Sequence, residues 1–536
     1  MNRNASLRAR LLMTAGAFLV SGAAFAAQPL FLGPAQVQSA AANTAGKLAA
    51  LPATTSLRAL RADPGAVSAQ NAEIGLDLGL KSVTAVLEKA VANSDGSLTW
   101  IGHVRETSKS RTMTAREVRH DENNSVILVR HGPGVTGNVR VNGQLYRIRP
   151  LPDGSHAVIE VNERAMPPDH PAAFRDLPQI DMAAPSGMMT AQAIDPGATA
   201  TIRVLVVATN AAVSAYGGDM QALAQLAVAE SNQGYVNSNV GINMELAGYT
   251  TVAYSELGMS TDLSRFRGTS DGYMDNIHAL RDSSAADVAV LIGNDGSACG
   301  LASGIGSTAT TAFATAYWDC ATGYYSFAHE VGHLQSARHD PATDPSTSPY
   351  TYGHGYRAPS NAWRTIMAYD CTSGCPRLNY WSNPDVTYGG VAMGTAATSH
   401  NQRVLVNTKA TVAAFRGGSS GGGTQTYSNA ADYAINDNTT VDSPIAVSGR
   451  TGNAPSNASI NVNIVHTYRG DLKVDLVAPD GTLYNISNRA GGSADNLVGT
   501  YTKNLSSEAL NGTWKLRVND NAGGDTGYIN SWSITF

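Results

Sequence analysis

Three histidines and one glutamate stand at spacings that could hold a metal ion and activate water. His329 and His333 lie four positions apart, and His339 follows them. Residues four apart on a helix project from one face, so both imidazoles can reach one ion, and His339 adds a third ligand after the helix ends. Three protein ligands and one open position are typical of catalytic zinc. Glu330, beside the first ligand, could take a proton from a water at the metal and pass it to a leaving amine.

A second pattern lies downstream, in the run from Arg364 to Asp370. Together with the extended histidine motif, this run resembles the Met-turn of the metzincin zinc proteases. The resemblance implies an α/β (α+β) catalytic domain in which Met367 forms an apolar base beneath the three histidines. Tyr369 is similar to the tyrosine that, in astacin-like and serralysin-like members, approaches the zinc and can stabilise the oxyanion.

One position departs from the family's motif, which has glycine where this chain has Ser336. If the turn there needs a left-handed backbone, a side chain costs about 1–2 kcal/mol. Ser336 therefore favours an alternative, an exported binding or adhesion protein with impaired catalysis that acts through its last domain. A zinc hydrolase of non-peptide esters or amides is a third interpretation, supported only by the shared zinc chemistry.

The segment after the Met-turn, residues 375–386, forms in this family the wall of the pocket for the residue after the cut. Residues 200–416 resemble bacterial peptidyl-Asp metallopeptidases, whose members cleave before aspartate. An acidic side chain needs a basic partner, and Arg364 or Arg377 could supply one; the alternative is that both are ordinary structural or surface residues. A strand around residues 311–318 corresponds to the metzincin edge strand that holds an extended peptide or protein substrate.

The whole chain, of 536 residues, has the length of several domains. With 37 basic and 42 acidic residues and no basic block, nucleic acid is not an expected partner. Only 15% of the residues are charged, a composition that favours an extracellular, β-rich protein. No stretch of the mature chain reaches the length of a bilayer span, so no stable membrane insertion is expected, and we expect a monomer.

The N-terminus carries an export signal. Three arginines precede an apolar run over residues 11–20, and a small-residue cleavage site follows it. These features predict a signal peptide over residues 1–26 and a secreted protein. The alternative, an N-terminal membrane anchor, requires a longer apolar run.

All four cysteines fall within one stretch of the chain. In an exported protein an even number of clustered cysteines favours disulfides. We expect the pairs Cys299–Cys320 and Cys371–Cys375, the second closed by a tight turn. The second pair could instead be half of a zinc site, although no matching cysteine pair supports this.

The region between the signal peptide and the catalytic domain, residues 27–197, is interpreted as a β-rich propeptide. Alternation in residues 125–129 and 139–148 predicts strands, with a hairpin turn at Asn142-Gly143. The propeptide contains no cysteine, so a thiol cannot block the zinc. Asp169 or His170 could occupy the open coordination position instead. If the enzyme cleaves before aspartate, the Ile194–Asp195 bond is a reasonable self-processing site.

The catalytic domain is assigned to residues 198–416, a flexible Gly/Ser linker to residues 417–423, and an all-β domain to residues 424–536. The runs 466–482 and 510–532 resemble the P domain that follows the catalytic domain in proprotein-convertase-like proteases. The resemblance implies a β jelly roll that stabilises or targets the enzyme. Five aspartates there could bind calcium, or could simply form turns: Asp471, Asp475, Asp480, Asp520 and Asp525.

Overall fold

The computed structural model describes residues 27–79, 81–105, 120–172, 177–182, 199–416, 426–448, 450, 453–455 and 457–536. The predicted signal peptide, the predicted linker and the Ile194–Asp195 bond lie outside the described residues. The described residues form a β-rich N-terminal region, a mixed α/β domain and a β-rich C-terminal region. Within these ranges, no helix is both long enough and apolar enough to cross a lipid bilayer.

The N-terminal region is built on a ten-stranded sheet, against which helix α1 (Ser39–Ala49) packs. The sheet order is β1-β4-β5-β6-β7-β8-β9-β10-β3-β2. Its strands in chain order are β1 (Gln28–Pro29), β2 (Phe31–Pro34), β3 (Thr54–Ala62), β4 (Glu73–Asp77), β5 (Ser82–Ala92), β6 (Leu98–Val104), β7 (Ser125–His131), β8 (Gly134–Val141), β9 (Gln144–Pro150) and β10 (His156–Val161).

The predicted hairpin in this region is confirmed. Strands β8 and β9 pair antiparallel, and Val141 lies opposite Gln144. The turn residues Asn142 and Gly143 have φ angles of 51° and 84°. Asn and Gly are the residues that adopt this left-handed conformation most readily, so the turn follows from local chemistry.

The α/β domain contains a five-stranded sheet in the order β12-β11-β13-β15-β14. All pairs are parallel except β14–β15. Its strands are β11 (Ala200–Thr209), β12 (Ile242–Val252), β13 (Val288–Gly293), β14 (Gly300–Ala302) and β15 (Phe313–Tyr317), and a two-stranded sheet is formed by β16 (Asn383–Tyr388) and β17 (Val391–Met393). Every residue of β13 is buried, as expected for a parallel strand covered on both faces.

The helices of this domain are α2 (Asn210–Tyr216), α3 (Met220–Asn237), α4 (Met259–Arg267), α5 (Asn276–Ser283), α6 (Trp318–Ala321), α7 (Ser326–Leu334) and α8 (Asn401–Val412). The longest of these helices is α3, with 18 residues. Its N-cap is Asp219, whose side chain accepts a hydrogen bond from the backbone N of Ala222 and so satisfies a free helix donor.

The predicted position of the edge strand is wrong. Residues 313–317 do form a strand, but β15 lies inside the sheet between β13 and β14. The edge on this side of the sheet is β14, three residues long and beginning with Gly300. A strand this short shows no alternation that a sequence pattern could detect, so its position depends on tertiary pairing.

The C-terminal region consists of two antiparallel sheets, β18-β26-β21-β24 with β19 attached to β26, and β20-β25-β22-β23. The buried side chains of both, including Trp514 and Trp532, form one apolar core. The strands are β18 (Thr426–Asn429), β19 (Tyr433–Ile435), β20 (Thr440–Val447), β21 (Ala458–His466), β22 (Leu472–Val477), β23 (Leu483–Asn488), β24 (Leu497–Lys503), β25 (Gly512–Asp520) and β26 (Gly527–Thr535).

The N-terminal region packs tightly on the α/β domain. Leu145 of β9 and Ile159 of β10 belong to the same apolar core as the five-stranded sheet. Arg147 of β9 is buried and donates to a side-chain oxygen of Asp319 in α6 at 2.6 Å. Because a buried charge is costly without a partner, this ion pair ties the two regions together next to helix α7.

Candidate active site

Helix α7 carries the first two histidines and the glutamate, and all nine of its residues are buried. The helix ends at Leu334, and Ser336 follows with a φ angle of 72°. This is the left-handed backbone that the glycine of the motif would favour. The turn nevertheless brings His339 Nε2 to 2.9 Å from His333 Nε2. Since Ser336 leaves the turn in place, the impaired binding protein is not favoured.

The ring nitrogens of the three histidines face one another. His329 Nδ1 lies 3.0 Å from the carbonyl oxygen of Ile366, and His333 Nδ1 lies 2.8 Å from that of Ala337. A carbonyl only accepts, so both Nδ1 atoms carry the proton and both Nε2 atoms present a lone pair. Yet these two Nε2 atoms lie 3.1 Å apart. Lone pairs at this distance repel one another unless a cation lies between them.

The chemistry of these donors fits zinc. Burial, followed by the neighbouring imidazoles, holds the pKa values of His329, His333 and His339 well below the ordinary value, which keeps the rings neutral and able to coordinate. Imidazole nitrogen is a preferred zinc ligand, and the backbone carbonyls fix the ring orientation. Within the described residues, one ligand atom from each of four histidines, these three and His170, lies within 4.8 Å of the others.

The run predicted as a Met-turn packs against the helix that carries the histidines. Met367 is fully buried. A Cβ atom placed on Gly332 of α7 would be 3.0 Å from Met367 Sδ and 2.6 Å from the ring of Trp381. Glycine at this helix position therefore allows the methionine and the tryptophan to pack against the turn that presents the histidines, while Ile366 supplies the carbonyl that orients His329.

Glu330 points towards the edge strand. Its side chain is 1% exposed, and a Cβ atom on Gly300 of β14 would collide with its carboxylate. Glycine at this position thus leaves the space that the carboxylate occupies. Burial raises the pKa of the Glu330 carboxyl, which makes its carboxylate a stronger proton acceptor.

His170 of the N-terminal region enters the same centre. Its Nε2 lies 3.1 Å from Glu330 Oε1, and its Nδ1 lies 2.8 Å from the hydroxyl of Tyr369. Its ring centroid is 4.7 Å from that of His339. Tyr369, which the family resemblance predicted to lie near the metal, is therefore close to the histidine cluster and contacts His170.

The two predicted specificity arginines lie together, and both are buried. Asp169 accepts a hydrogen bond from Arg377, and Arg364 Nη1 lies 3.5 Å from its second oxygen. Burial alone would raise the pKa of the Asp169 carboxyl, but the charges of Arg377 and Arg364 outweigh this effect and hold that pKa below its ordinary value. The site therefore binds a carboxylate next to the histidine cluster, and the interpretation of the arginines as surface residues is wrong.

Both predicted disulfides are present, Cys299–Cys320 and Cys371–Cys375. The first links the residue before β14 to α6, just ahead of the histidine helix. The second closes the turn between the Met-turn and Arg377. Because a sulfur in a disulfide is not a thiolate, the alternative of half a zinc site is excluded.

Comparison with known proteins agrees with this geometry. Residues 198–382 match the metallo-peptidase family M12. Two peptidyl-Asp metalloendopeptidases, from Stenotrophomonas maltophilia and Xanthomonas campestris pv. campestris, are 59% and 56% identical to the chain, over 74% of its length and 96% of theirs. The chain belongs to the peptidyl-Asp metalloendopeptidase family. It is a zinc metalloendopeptidase.

The C-terminal part of this metalloendopeptidase has relatives of its own. Residues 455–536 match the proprotein convertase P-domain. A leupeptin-inactivating enzyme 1 from Streptomyces exfoliatus is 65% identical over 114 residues, which are 21% of this chain and 26% of that protein. The predicted resemblance of this domain is therefore confirmed.

The aspartates predicted as calcium ligands in the P domain are not gathered into one cluster. Among the described residues, no three of the five have carboxylate oxygens within 4.8 Å of one another. Asp520 lies 3.2 Å from His466, and Asp525 accepts from Thr467 at 2.7 Å. Calcium binding therefore stays a prediction.

Sequence reasoning missed three residues that support the site of this metalloendopeptidase. Tyr324 contacts both arginines predicted to set specificity: its hydroxyl accepts from Arg364 at 2.8 Å and its carbonyl accepts from Arg377 at 2.9 Å. Asp340 accepts from the backbone N of Tyr369 at 3.1 Å. Arg357 donates to the Tyr369 carbonyl at 3.0 Å. Asp340 could have been identified from its position directly after His339, whereas nothing in the sequence around Tyr324 marks it as a residue that supports the site.

Proposed function

We propose that this metalloendopeptidase is a secreted, metzincin-type enzyme that cleaves peptide bonds before aspartate. The observation that carries the proposal is the buried arginine pair, which binds the carboxylate of Asp169. The neighbouring residue along the chain, His170, reaches the histidine cluster. One short segment thus places a carboxylate at the arginines and a neighbouring side chain at the histidine cluster, so the pocket lies within one or two residues' reach of the metal-binding centre.

The energetics of the arginine pocket favour an acidic side chain strongly. Arg364 and Arg377 are 1% and 2% exposed, so neither is well solvated by water. A neutral side chain in the pocket would leave Arg377 without an anion and Arg364 with only the partly exposed Asp370 carboxylate, 3.5 Å from its Nε; this is more costly than a lost contact on the surface. The planar guanidinium groups can also each offer two parallel donors to a carboxylate. The names of the close relatives agree with this preference.

In the proposed mechanism, His329, His333 and His339 hold the zinc ion, which when bound lowers the pKa of a water molecule and polarises the scissile carbonyl. Glu330 accepts the proton of the attacking water and delivers it to the leaving amine. The Tyr369 hydroxyl donates a hydrogen bond to the carbonyl oxygen as negative charge develops there. No covalent bond to the enzyme forms.

The backbone of the substrate is proposed to pair with the edge strand β14. Support comes from the backbone N atoms of Cys299 and Gly300, which donate to the carbonyls of Pro168 and Asp169 at 2.8 and 3.1 Å. An added chain at a sheet edge gains main-chain hydrogen bonds that do not depend on sequence. Specificity then comes from the arginine pocket.

The proposed organisation is a signal peptide over residues 1–26, a propeptide over 27–197, a protease domain over 198–416, a linker over 417–423 and a jelly-roll P domain over 424–536. The small edge strand antiparallel to its parallel neighbours supports the metzincin assignment. The two packed antiparallel sheets support the jelly roll.

The test is cleavage of a defined protein by the purified mature enzyme, with cut sites read by mass spectrometry. We expect aspartate to be strongly enriched after the cut, and the activity to disappear with a chelator and return with zinc. Glu330→Ala is expected to abolish cleavage, whereas the matched control Glu245→Ala, on an exposed position of the same domain, keeps it. Cleavage without enrichment of acidic residues after the cut would contradict the proposal.

A further inference from the structure

The segment Pro167–His170 occupies two parts of the active site at once. Its backbone pairs with the residues at the start of the edge strand, as described above. It places the Asp169 carboxylate between the arginines and His170 at the histidine cluster. The two prolines Pro167 and Pro168 restrict the backbone immediately before these side chains.

We infer that this segment keeps the enzyme inactive by a double occupation, in which His170 provides a fourth ligand to the zinc and Asp169 fills the pocket that reads a substrate's aspartate. The inference rests on the proposed function and specifies how the same site is regulated. It also assigns the two residues between which the sequence alone could not choose: the imidazole goes to the metal and the carboxylate goes to the arginines.

The surroundings of His170 favour a metal ligand over an ordinary buried histidine. Its side chain has no exposed surface, and its Nδ1 faces the Tyr369 hydroxyl at 2.8 Å. If Nδ1 donates its proton to that oxygen, Nε2 presents a lone pair beside the Glu330 carboxylate, in the ring cluster of His329, His333 and His339; acceptors placed this close together need a cation between them. Four imidazoles close the coordination shell of a zinc ion, as structural zinc sites do.

This arrangement also explains why the segment is not cut where it lies. Hydrolysis needs a water at the metal and a free carboxylate to receive its proton. Here His170 takes the position of that water, and its Nε2 lies 3.1 and 3.2 Å from the two oxygens of Glu330. The Tyr369 hydroxyl is engaged by the same ring. One side chain thus occupies the open coordination position and contacts both proposed catalytic groups.

The Asp169 carboxylate makes the inhibition by this segment specific, because it binds in the enzyme's own arginine pocket. With the carboxylate removed, Arg377 would lose its anionic partner and Arg364 would keep only the partly exposed Asp370. The inhibitory segment therefore gains binding energy from the same charge pairing that selects the substrate. A free peptide with the sequence of residues 164–173 should inhibit the mature enzyme, and changing its aspartate to asparagine should weaken the inhibition by at least about tenfold, since hydrogen bonds to charged groups are the stronger ones.

The decisive experiment places a thiol at position 170 in the full-length chain. The background is Glu330→Ala, which prevents self-cleavage, and cobalt(II) replaces zinc as a spectroscopic probe. A cysteine bound to cobalt gives a thiolate-to-metal charge-transfer band in the near ultraviolet, so His170→Cys is expected to create this band. The matched control His103→Cys lies in the same N-terminal region, on a side chain that is 41% exposed, and is expected to create none. A folded, cobalt-loaded His170→Cys chain without the band overturns the inference.

The peptide provides a second arm that does not depend on folding of the variant chain. Inhibition by the natural peptide, with loss of inhibition when its histidine becomes alanine, supports the inference; equal inhibition by both peptides overturns it. Failure here is distinguishable from failure of the proposed function. The cobalt spectrum is read from a chain that cannot cleave, whereas the proposed function fails only if the mature enzyme does not prefer aspartate.

Discussion

Replacing Arg377 by methionine is expected to remove most of the preference for aspartate. Arg377 is the arginine in closest contact with the bound carboxylate, whereas Arg364 lies 3.5 Å from its other oxygen. Loss of one partner from a buried charge pair costs about 3–5 kcal/mol. Arg364 keeps part of the attraction, so the lower end of this range applies, and about 3 kcal/mol corresponds to roughly a 100-fold fall in kcat/KM.

The assay compares two peptides that differ only in aspartate or asparagine after the cut. With the mature wild-type enzyme, kcat/KM for the aspartate peptide should exceed that for the asparagine peptide by roughly 100-fold or more. With Arg377→Met this ratio should fall towards one, mainly because kcat/KM for the aspartate peptide falls. Arg403→Met, an exposed arginine on α8, should leave the ratio unchanged. If Arg377→Met lowers kcat/KM equally for both peptides, the arginine supports the fold and does not bind the substrate's carboxylate. That result would refute the reasoning.

Three further changes test other parts of the structure. Ser336→Gly should relieve the left-handed backbone strain and stabilise the mature enzyme by about 1 kcal/mol, measured as a higher denaturant midpoint with unchanged activity; no gain would mean that the turn is not strained. Burial lowers the pKa of His156 to about 4, and its Nε2 accepts from the backbone N of Val135 at 3.0 Å, so the unfolded chain binds more protons between pH 6.5 and 4. Full-length stability should therefore fall by up to about 3 kcal/mol as pH drops through that window, and His156→Gln should flatten the dependence seen in urea titrations. Tyr324→Phe removes the hydroxyl that holds Arg364 and should lower the aspartate-to-asparagine ratio by about tenfold without abolishing cleavage, since a hydrogen bond to a charged group is worth about 1.5 kcal/mol or more; an unchanged ratio would exclude this positioning role.

Much of the fold followed from local patterns. The hairpin at Asn142-Gly143 and the all-β character of the P domain are each determined by turn chemistry or by the alternation of apolar residues. The edge strand β14 could not be predicted from such local patterns. Its three residues carry no period, and its place at the edge results from pairing with β15.

In the candidate site, too, some contacts could be predicted from local sequence and others could not. The spacing of His329, Glu330 and His333 on one helix was enough to predict a shared centre, because residues one helical turn apart lie on the same face whatever the rest of the chain does. Both cysteine pairs could also be predicted, because each joins residues that are close along the chain.

The sequence by itself therefore determined the zinc chemistry, the cysteine pairs and the kinds of domain. Only the tertiary structure decided that the carboxylate of Asp169 meets Arg377, 208 positions away, and that His170 meets Glu330, 160 positions away. Such contacts depend on how the N-terminal sheet packs against helix α7 and the edge strand. Spacing along a chain specifies geometry only over a few turns, whereas the burial of these charged groups arises from packing between distant segments.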